Sequence, residues 1–376
     1  MSIFSWLRSR TSTRSRWWDG FRIRPTAPRF RPRLEALEDR CLPSTFCAAT
    51  ATDLIADIKA ANLQGGANTI VLTAPTTSPY VLTATDNTTD GNTVLPAIGG
   101  NLTILTNNGS ASPGFGDTID AGKHGRLFDV ASGATLTLEN ITLQNGSVRG
   151  TPGGTSKGGA IYNQGTLVLS QVLVHNNTAD FTGAGGGIWS NGALTVKNST
   201  FEGNVAENEF GGPAFGGAIY IAGGTASITD SAFGDPNGGG GNTAKGQTAY
   251  GGAMYVAAGT ATLSGDSFGL VTYGFYGFSY SGNSAQGGIL SPGDGYGGAL
   301  YVARGSVTLT NDYIQGNCVE NLGNPDGAAY GDHGGYGGGI YIADVATVYI
   351  DSFTLNNTTA NLSNGGDIWG PYHLLP

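Results

Sequence analysis

From residue 158 onward, glycine pairs alternate with short runs in which apolar and polar residues take turns. The phrase GGAIY at 158–162 returns as GGGIW (185–189), GGAIY (216–220), GGAMY (251–255), GGALY (297–301) and GGGIY (337–341), with a worn copy, GGDIW, at 365–369. Each of the first six leads through a short turn into an alternating segment: TLVLS, ALTVK, TASIT, TATLS, SVTLT and ATVYI. Such alternation sends one residue inward and the next outward, the period of a strand with one buried face. The apolar residues of the phrases (Ile161, Ile188, Ile219, Met254, Leu300, Ile340, Ile368) stand 27, 31, 35, 46, 40 and 28 residues apart. The shorter spacings fit one turn of a β-solenoid, and the longer ones fit that turn with an insertion.

One such unit cannot cover its own apolar face, whereas copies stacked at ~4.8 Å build a continuous core and pair every strand edge between the ends. The paired glycines supply a turn at positive φ or a close backbone approach. Most units also carry Phe201, Phe233, Phe268 or Ile314, and then an Asn followed two residues later by Ala or Val: Asn177, Asn204, Asn242, Asn283 and Asn317. Equivalent Asn residues in stacked coils predict a ladder of side-chain amides. Upstream, TIVLT, NLTILT and TLTLENITL continue the strand pattern. In TDLIADIKAAN, Leu54, Ile55 and Ile58 fall on one helical face, which predicts a single capping helix with Thr52 or Asp53 as N-cap. The pattern therefore predicts an all-β parallel β-helix over 46–376, with the cap and first coils in 46–110 and regular coils in 111–376. Residues 1–45 form a separate leader.

Composition agrees with a turn-rich β chain: 64 of 376 residues are Gly, without the G-X-Y period of collagen, and 12% are charged. Charge sets the leader apart. Residues 1–40 hold ten of the 18 basic residues, all Arg, whereas the rest has eight basic and 23 acidic residues, net −15. An acidic body repels phosphate backbones, so nucleic acid is not an expected partner. The sequence has no apolar run long enough for a membrane-spanning helix. Cys41, Cys47 and Cys318 are an odd set without metal-type spacing.

The GGA-hydrophobic-Tyr phrase with a following aromatic-x-x-Asn resembles the repeats of the polymorphic outer-membrane protein family. The stretch from Asp53 through LIADIKAANLQGGANTIVLT resembles the N-terminal module that often precedes the family's helices, and DTIDAGKHGRLFDVASGATLTLENITLQNG at 117–146 is similar to the first coils of these surface proteins. That resemblance implies a right-handed parallel β-helix at a cell surface. RPRLEALEDRCLPS at 31–44 is similar to the leader of large planctomycete exported or surface proteins, which implies an extracellular or cell-surface location. The membrane β-barrel of the family's autotransporters is not found in this sequence, so self-secretion through an outer membrane is not expected.

Parallel β-helices also host polysaccharide lyases and hydrolases, which need facing carboxylates or a carboxylate cluster for Ca²⁺. The best row of acids is Asp230, Asp266, Asp312 and Asp351, each near the end of its unit's alternating strand and a candidate for a Ca²⁺-binding row; no other cofactor is expected. Insertions at 205–215, 234–241, 269–296 and 320–336 are expected to gather on one side of the rod. The third carries Tyr273, Phe275, Tyr276, Phe278, Tyr280 and Tyr296 among Gly and Ser, the chemistry of adaptable contact surfaces. These six are the candidate ligand-binding residues. The expected function is a non-enzymatic surface or secreted scaffold, an adhesin that binds glycan or a cell-surface protein. The alternative is a lyase or hydrolase of acidic polysaccharide.

Overall fold

The structure, a computed structural model, describes residues 44–75, 77–106, 116–150, 154–234, 240–269, 271–274, 277–280, 282–288, 293–321, 335–360 and 367–376. All of them belong to one unit, Cys41–Pro376. The chain coils as a parallel β-helix. In the coil that starts at Thr166, five short strands follow one another: Thr166–Ser170 (β1), Leu173–His175 (β2), Thr178–Asp180 (β3), Gly183–Ala184 (β4) and Ile188–Ser190 (β5). The next strand, Ala193–Lys197, lies beside β1 in parallel and opens the next turn. Later coils return to these columns; the β4 column starts at Ser156–Lys157, and the strand Tyr313–Asn321 serves the β2 and β3 columns at once.

The longest column is an eleven-stranded parallel sheet running from Thr45–Ala48 to His373–Leu374 among the described residues. Its alternation gives two inward rows, Leu136–Leu167–Leu194–Ala226–Ala261–Val307–Val348 and Leu138–Leu169–Val196–Ile228–Leu263–Leu309–Ile350, all buried. The seven apolar residues of the glycine phrases also form one uninterrupted column, each paired with the next from Ile161 to Ile368. Registry survives spacings of 27 to 46 residues because each excursion leaves and re-enters the stack between the same two columns.

The glycines of a pair do different work. The first takes φ between +59° and +68° at Gly158, Gly185, Gly216, Gly251, Gly297 and Gly337, turning the corner in the left-handed region. The second has an ordinary φ, but the next coil's backbone leaves no space. A Cβ on Gly252 would lie 2.1 Å from the Gly298 carbonyl oxygen.

The expected amide ladder is present. Asn177, Asn204, Asn242, Asn283 and Asn317 are fully buried, and the Nδ2 of each of the first four donates to the next Oδ1 at 2.9 Å. The same Oδ1 atoms also accept the backbone N–H of the preceding Asn. Beside the ladder, the rings of Phe201, Phe233 and Phe268 stack with centroids 5.0 and 4.4 Å apart.

The N-terminal helix spans Ala51–Gln64, with Leu54, Ile58 and Ala61 buried in the core at the start of the stack. Its N-cap is Thr50, whose hydroxyl accepts from the Asp53 N–H at 3.2 Å, rather than Thr52 or Asp53. The helix begins earlier than its apolar stripe, so the stripe alone misplaces the cap.

Two corners, not one, take the insertions. Between Phe233 and Thr243 and between Phe268 and Ser284 the chain passes from the β2 to the β3 column, whereas between Glu207 and Pro213 and between Gly287 and Gly295 it passes from the β3 to the β4 column; most of 320–336 lies outside the described residues. One chain turn has several corners, and sequence order alone does not tell which corner an insertion uses.

Candidate functional site: an aromatic face on the rod

The second residue of each β5-type strand points away from the core, between two buried neighbours. In successive coils this residue is Tyr162, Trp189, Tyr220, Tyr255, Tyr301 and Tyr341. From Tyr220 onward the rings lie nearly parallel, with centroids 5.0, 5.1 and 4.8 Å apart. Tyr162 and Trp189 extend the row, at 4.7 Å from each other and with Trp189 6.3 Å from Tyr220.

A second row runs beside it in the β4 column. Phe215, Tyr250, Tyr296 and Tyr336 stack at 5.3, 5.4 and 5.8 Å. The two rows interlock edge to face, Phe215 against Tyr220 and Tyr255, Tyr250 against Tyr255 and Tyr301, and Tyr296 against Tyr301 and Tyr341. Such contacts each contribute about 0.5–1.5 kcal/mol beyond the area they bury. The strand spacing fixes the chemistry of this face. Rings stacked at about 5 Å cover one another, so the row offers edges and phenolic hydroxyls rather than open ring faces. Burial pushes the phenols of Tyr296 and Tyr301 up to about 12, and raises those of Tyr220, Tyr250 and Tyr255. They remain hydrogen-bond donors at any physiological pH.

Of the six candidate ligand-binding residues, Tyr296 stands in this second row, half-buried between Tyr250 and Tyr336. Phe275 and Tyr276 lie outside the described residues. Tyr273, Phe278 and Tyr280 belong to an antiparallel hairpin, Val271–Gly274 with Gly277–Tyr280, in which Tyr273 lies opposite Phe278 and Tyr280 opposite Val271. Sequence reasoning placed the aromatic surface in one insertion and missed the longer one built from the repeat itself. The signal was present: the fifth letter of every glycine phrase is Tyr or Trp, and an aromatic residue precedes the glycines at Phe215, Tyr250, Tyr296 and Tyr336.

The four candidate acids do not share a row. Asp230 sits at φ 51° in the turn after its strand, a place taken by Asn198, Gly265 and Asn311 in other coils. Asp266 and Asp312 lie one position further on and are fully buried. They belong to a second ladder in which Val172, Ser199, Ser231, Asp266 and Asp312 each donate a backbone N–H to the side-chain oxygen of the next coil, ending on Thr354 Oγ1. Asp351 instead caps a short helix, Ser352–Asn356, accepting the Thr354 N–H at 2.7 Å, and also accepts the Asn311 N–H. Desolvation raises Asp266 to about 7 and Asp312 to about 8, with the neighbouring acids adding to both. Although partial burial pushes it up, hydrogen bonds from Thr354 and Asn311 hold Asp351 below its ordinary value.

Among the described residues, no group of three or more His, Cys, Asp and Glu side chains is placed to hold a metal ion. Cys47 and Cys318 are unpaired thiols; burial pushes Cys318 up to about 12, which leaves it a poor nucleophile. No helix of the described residues is long and apolar enough to cross a membrane. No protein-family model, curated protein or solved structure matches this chain.

Proposed function

We propose that the chain is a non-catalytic binding scaffold, exported or held at a cell surface, whose aromatic face and flanking loops contact an extended glycan or a partner protein. The observation that supports it most is the double row itself. Its outer edges and hydroxyls repeat at one strand spacing over four coils, which suits a ligand that is itself long and repetitive. The inward burial of Asp266 and Asp312 weighs against a carboxylate-driven lyase or hydrolase at the acid row. The surface location rests on the resemblance of the leader.

The test is retention of the full chain on a panel of immobilised neutral and acidic polysaccharides. Tyr250→Ser with Tyr296→Ser should lower binding at least tenfold, while Tyr250→Phe with Tyr296→Phe, which keeps the stack, separates ring area from hydroxyl donors. Unchanged binding in the Ser pair, or release of shortened products from any polysaccharide, would overturn the reading.

A further inference from the structure

At its N-terminal end the aromatic face changes character. Beside Tyr162 the β5 column carries Asp129 instead of an aromatic residue, and the β4 column, aromatic at Phe215, Tyr250 and Tyr296, begins with Lys157. Here a cleft of about 250 Å³ opens, lined by Asp90, Arg126, Arg149, Ser156, Lys157 and Tyr162 among others. Three of the eight basic residues outside the leader therefore meet in one place on an acidic body.

Among the described residues, two of these cations have no carboxylate in contact. Arg126 is 1% exposed, and among the described residues its guanidinium donates to neutral oxygens. These are the carbonyls of Lys157 (2.6 Å from Nη2), Gly158 (2.9 Å from Nε) and Asp90 (3.2 Å from Nη1), with the Thr93 hydroxyl at 3.3 Å. The Lys157 ammonium lies 4.7 Å from the Trp189 ring centre and 5.7 Å from that of Tyr162, and no ion pair among the described residues includes it. Arg149 reaches Asp180 through Nε at 3.4 Å, and its side chain is 62% exposed. A buried cation is costly to desolvate, and Asp129, tied to Asn87 at 3.1 Å, and Asp90 act on Arg126 through space rather than by an ion pair in contact.

We propose that this cleft binds a carboxylate-bearing sugar, a hexuronate unit, with its carboxylate between Lys157 and Arg149 over the Arg126 charge and its hydroxyls toward Asp90 and the Ser156–Lys157 edge. The volume is below that of pockets for drug-sized ligands and suits one sugar ring. The acid on the rim favours a sugar over a bare anion, since Asp90 repels sulfate or phosphate but accepts hydrogen bonds from hydroxyls. The Tyr162 ring is already stacked on Trp189 at 4.7 Å and packed by Arg126 at 5.1 Å, so recognition is polar rather than by ring stacking. The inference deepens the binding reading of this face and rests on it for its biological role.

The experiment is titration of the full chain with glucuronate, galacturonate, glucose and sulfate, followed by NMR or calorimetry at low salt. Uronate should bind at least tenfold more tightly than glucose or sulfate, and the affinity should fall as salt is added. Arg149→Gln and Lys157→Gln should each lower uronate affinity at least tenfold with an unchanged circular dichroism spectrum, as expected for loss of a charge-assisted hydrogen bond. Four results would overturn the proposal: no uronate binding, equal binding of glucose, equal binding of sulfate, or uronate binding unaffected by both substitutions. Uronate binding without polysaccharide retention would leave the cleft standing and sink the longer face; retention without uronate binding would do the reverse.

Discussion

The buried acids of the second ladder make a sharp prediction about pH. Asp266 accepts the Ser231 N–H at 2.8 Å and the Ser264 N–H at 3.1 Å, and donates its own N–H to Asp312 at 2.8 Å. Asp312 keeps Oδ2 buried without a hydrogen-bond partner. With folded-state values of about 7 and about 8, both acids are protonated in the fold at pH values where the unfolded chain, near 3.9, has released its protons. Stability contributed by such groups is greatest at acid pH and is lost as pH rises toward the folded-state values. Between about pH 5 and pH 7 each acid gives up roughly 2–3 kcal/mol, Asp266 less than Asp312 because it is half ionised by pH 7.

The ladder itself supplies the clean substitution. Ser199 and Ser231 occupy the same position in earlier coils, where each hydroxyl accepts the N–H of the preceding coil and donates to the carbonyl two residues back. Asp266→Ser with Asp312→Ser therefore keeps the ladder and removes both titrating groups. Urea unfolding of wild type and the double variant at about pH 5 and about pH 7 checks it. Asp57 and Asp129 are also raised, and His175 and Asp351 lowered, but they are common to both proteins and cancel in the comparison. At pH 5 the variant should be level with wild type or about 1 kcal/mol weaker, from lost packing. By pH 7 it should be the more stable by several kcal/mol. Wild-type and variant midpoints that move in parallel with pH would refute the assignment of these acids.

The amide ladder should be costly to interrupt. Asn242→Ala orphans the buried Asn204 backbone N–H, at about 1–3 kcal/mol, and takes one of two partners from Asn204 Nδ2, which keeps Val174, and from the Phe201 carbonyl, which keeps the Gly234 N–H; it should lower the urea midpoint. Phe233→Ala, in the middle of the buried ring stack, should cost about 3–5 kcal/mol by the same measurement. Gly252→Ala should yield insoluble protein, because its Cβ would sit 2.1 Å from the Gly298 oxygen and 2.5 Å from the Ser284 nitrogen, both backbone atoms; soluble protein with an intact β spectrum would contradict the close packing.

How much of this was legible can be judged from particular residues. The stack was, because strand pairing reads the local phrase: Met254 and Leu300 pair although 46 residues separate them. The five Asn were equally legible, since a buried amide that recurs in phase has few other partners to find. The acids were misplaced by one step. In ITDSAF and LSGDSF the rings of Phe233 and Phe268 are the aligned positions, so Asp266 matches Ser231, and Asp230 matches Gly265. Aligning on the strands' ends hid this, because the left-handed turn residue is Asp in one coil and Gly in the next. The aromatic face was overlooked because each Tyr looked like part of a strand; that the same letter faces outward in every coil emerges only once the coils are laid side by side.

The two corners that hold the insertions have a consequence for how such a chain can change. Every excursion begins and ends at backbone already fixed by its neighbours above and below, as where Gly288 donates to the Gln247 carbonyl before the next strand begins. New segments can therefore be spliced in at those corners, or old ones trimmed, at the modest cost of closing a longer loop and without re-tuning the packed interior. The rod behaves as a pegboard, on which hardware is exchanged while the board stays the same.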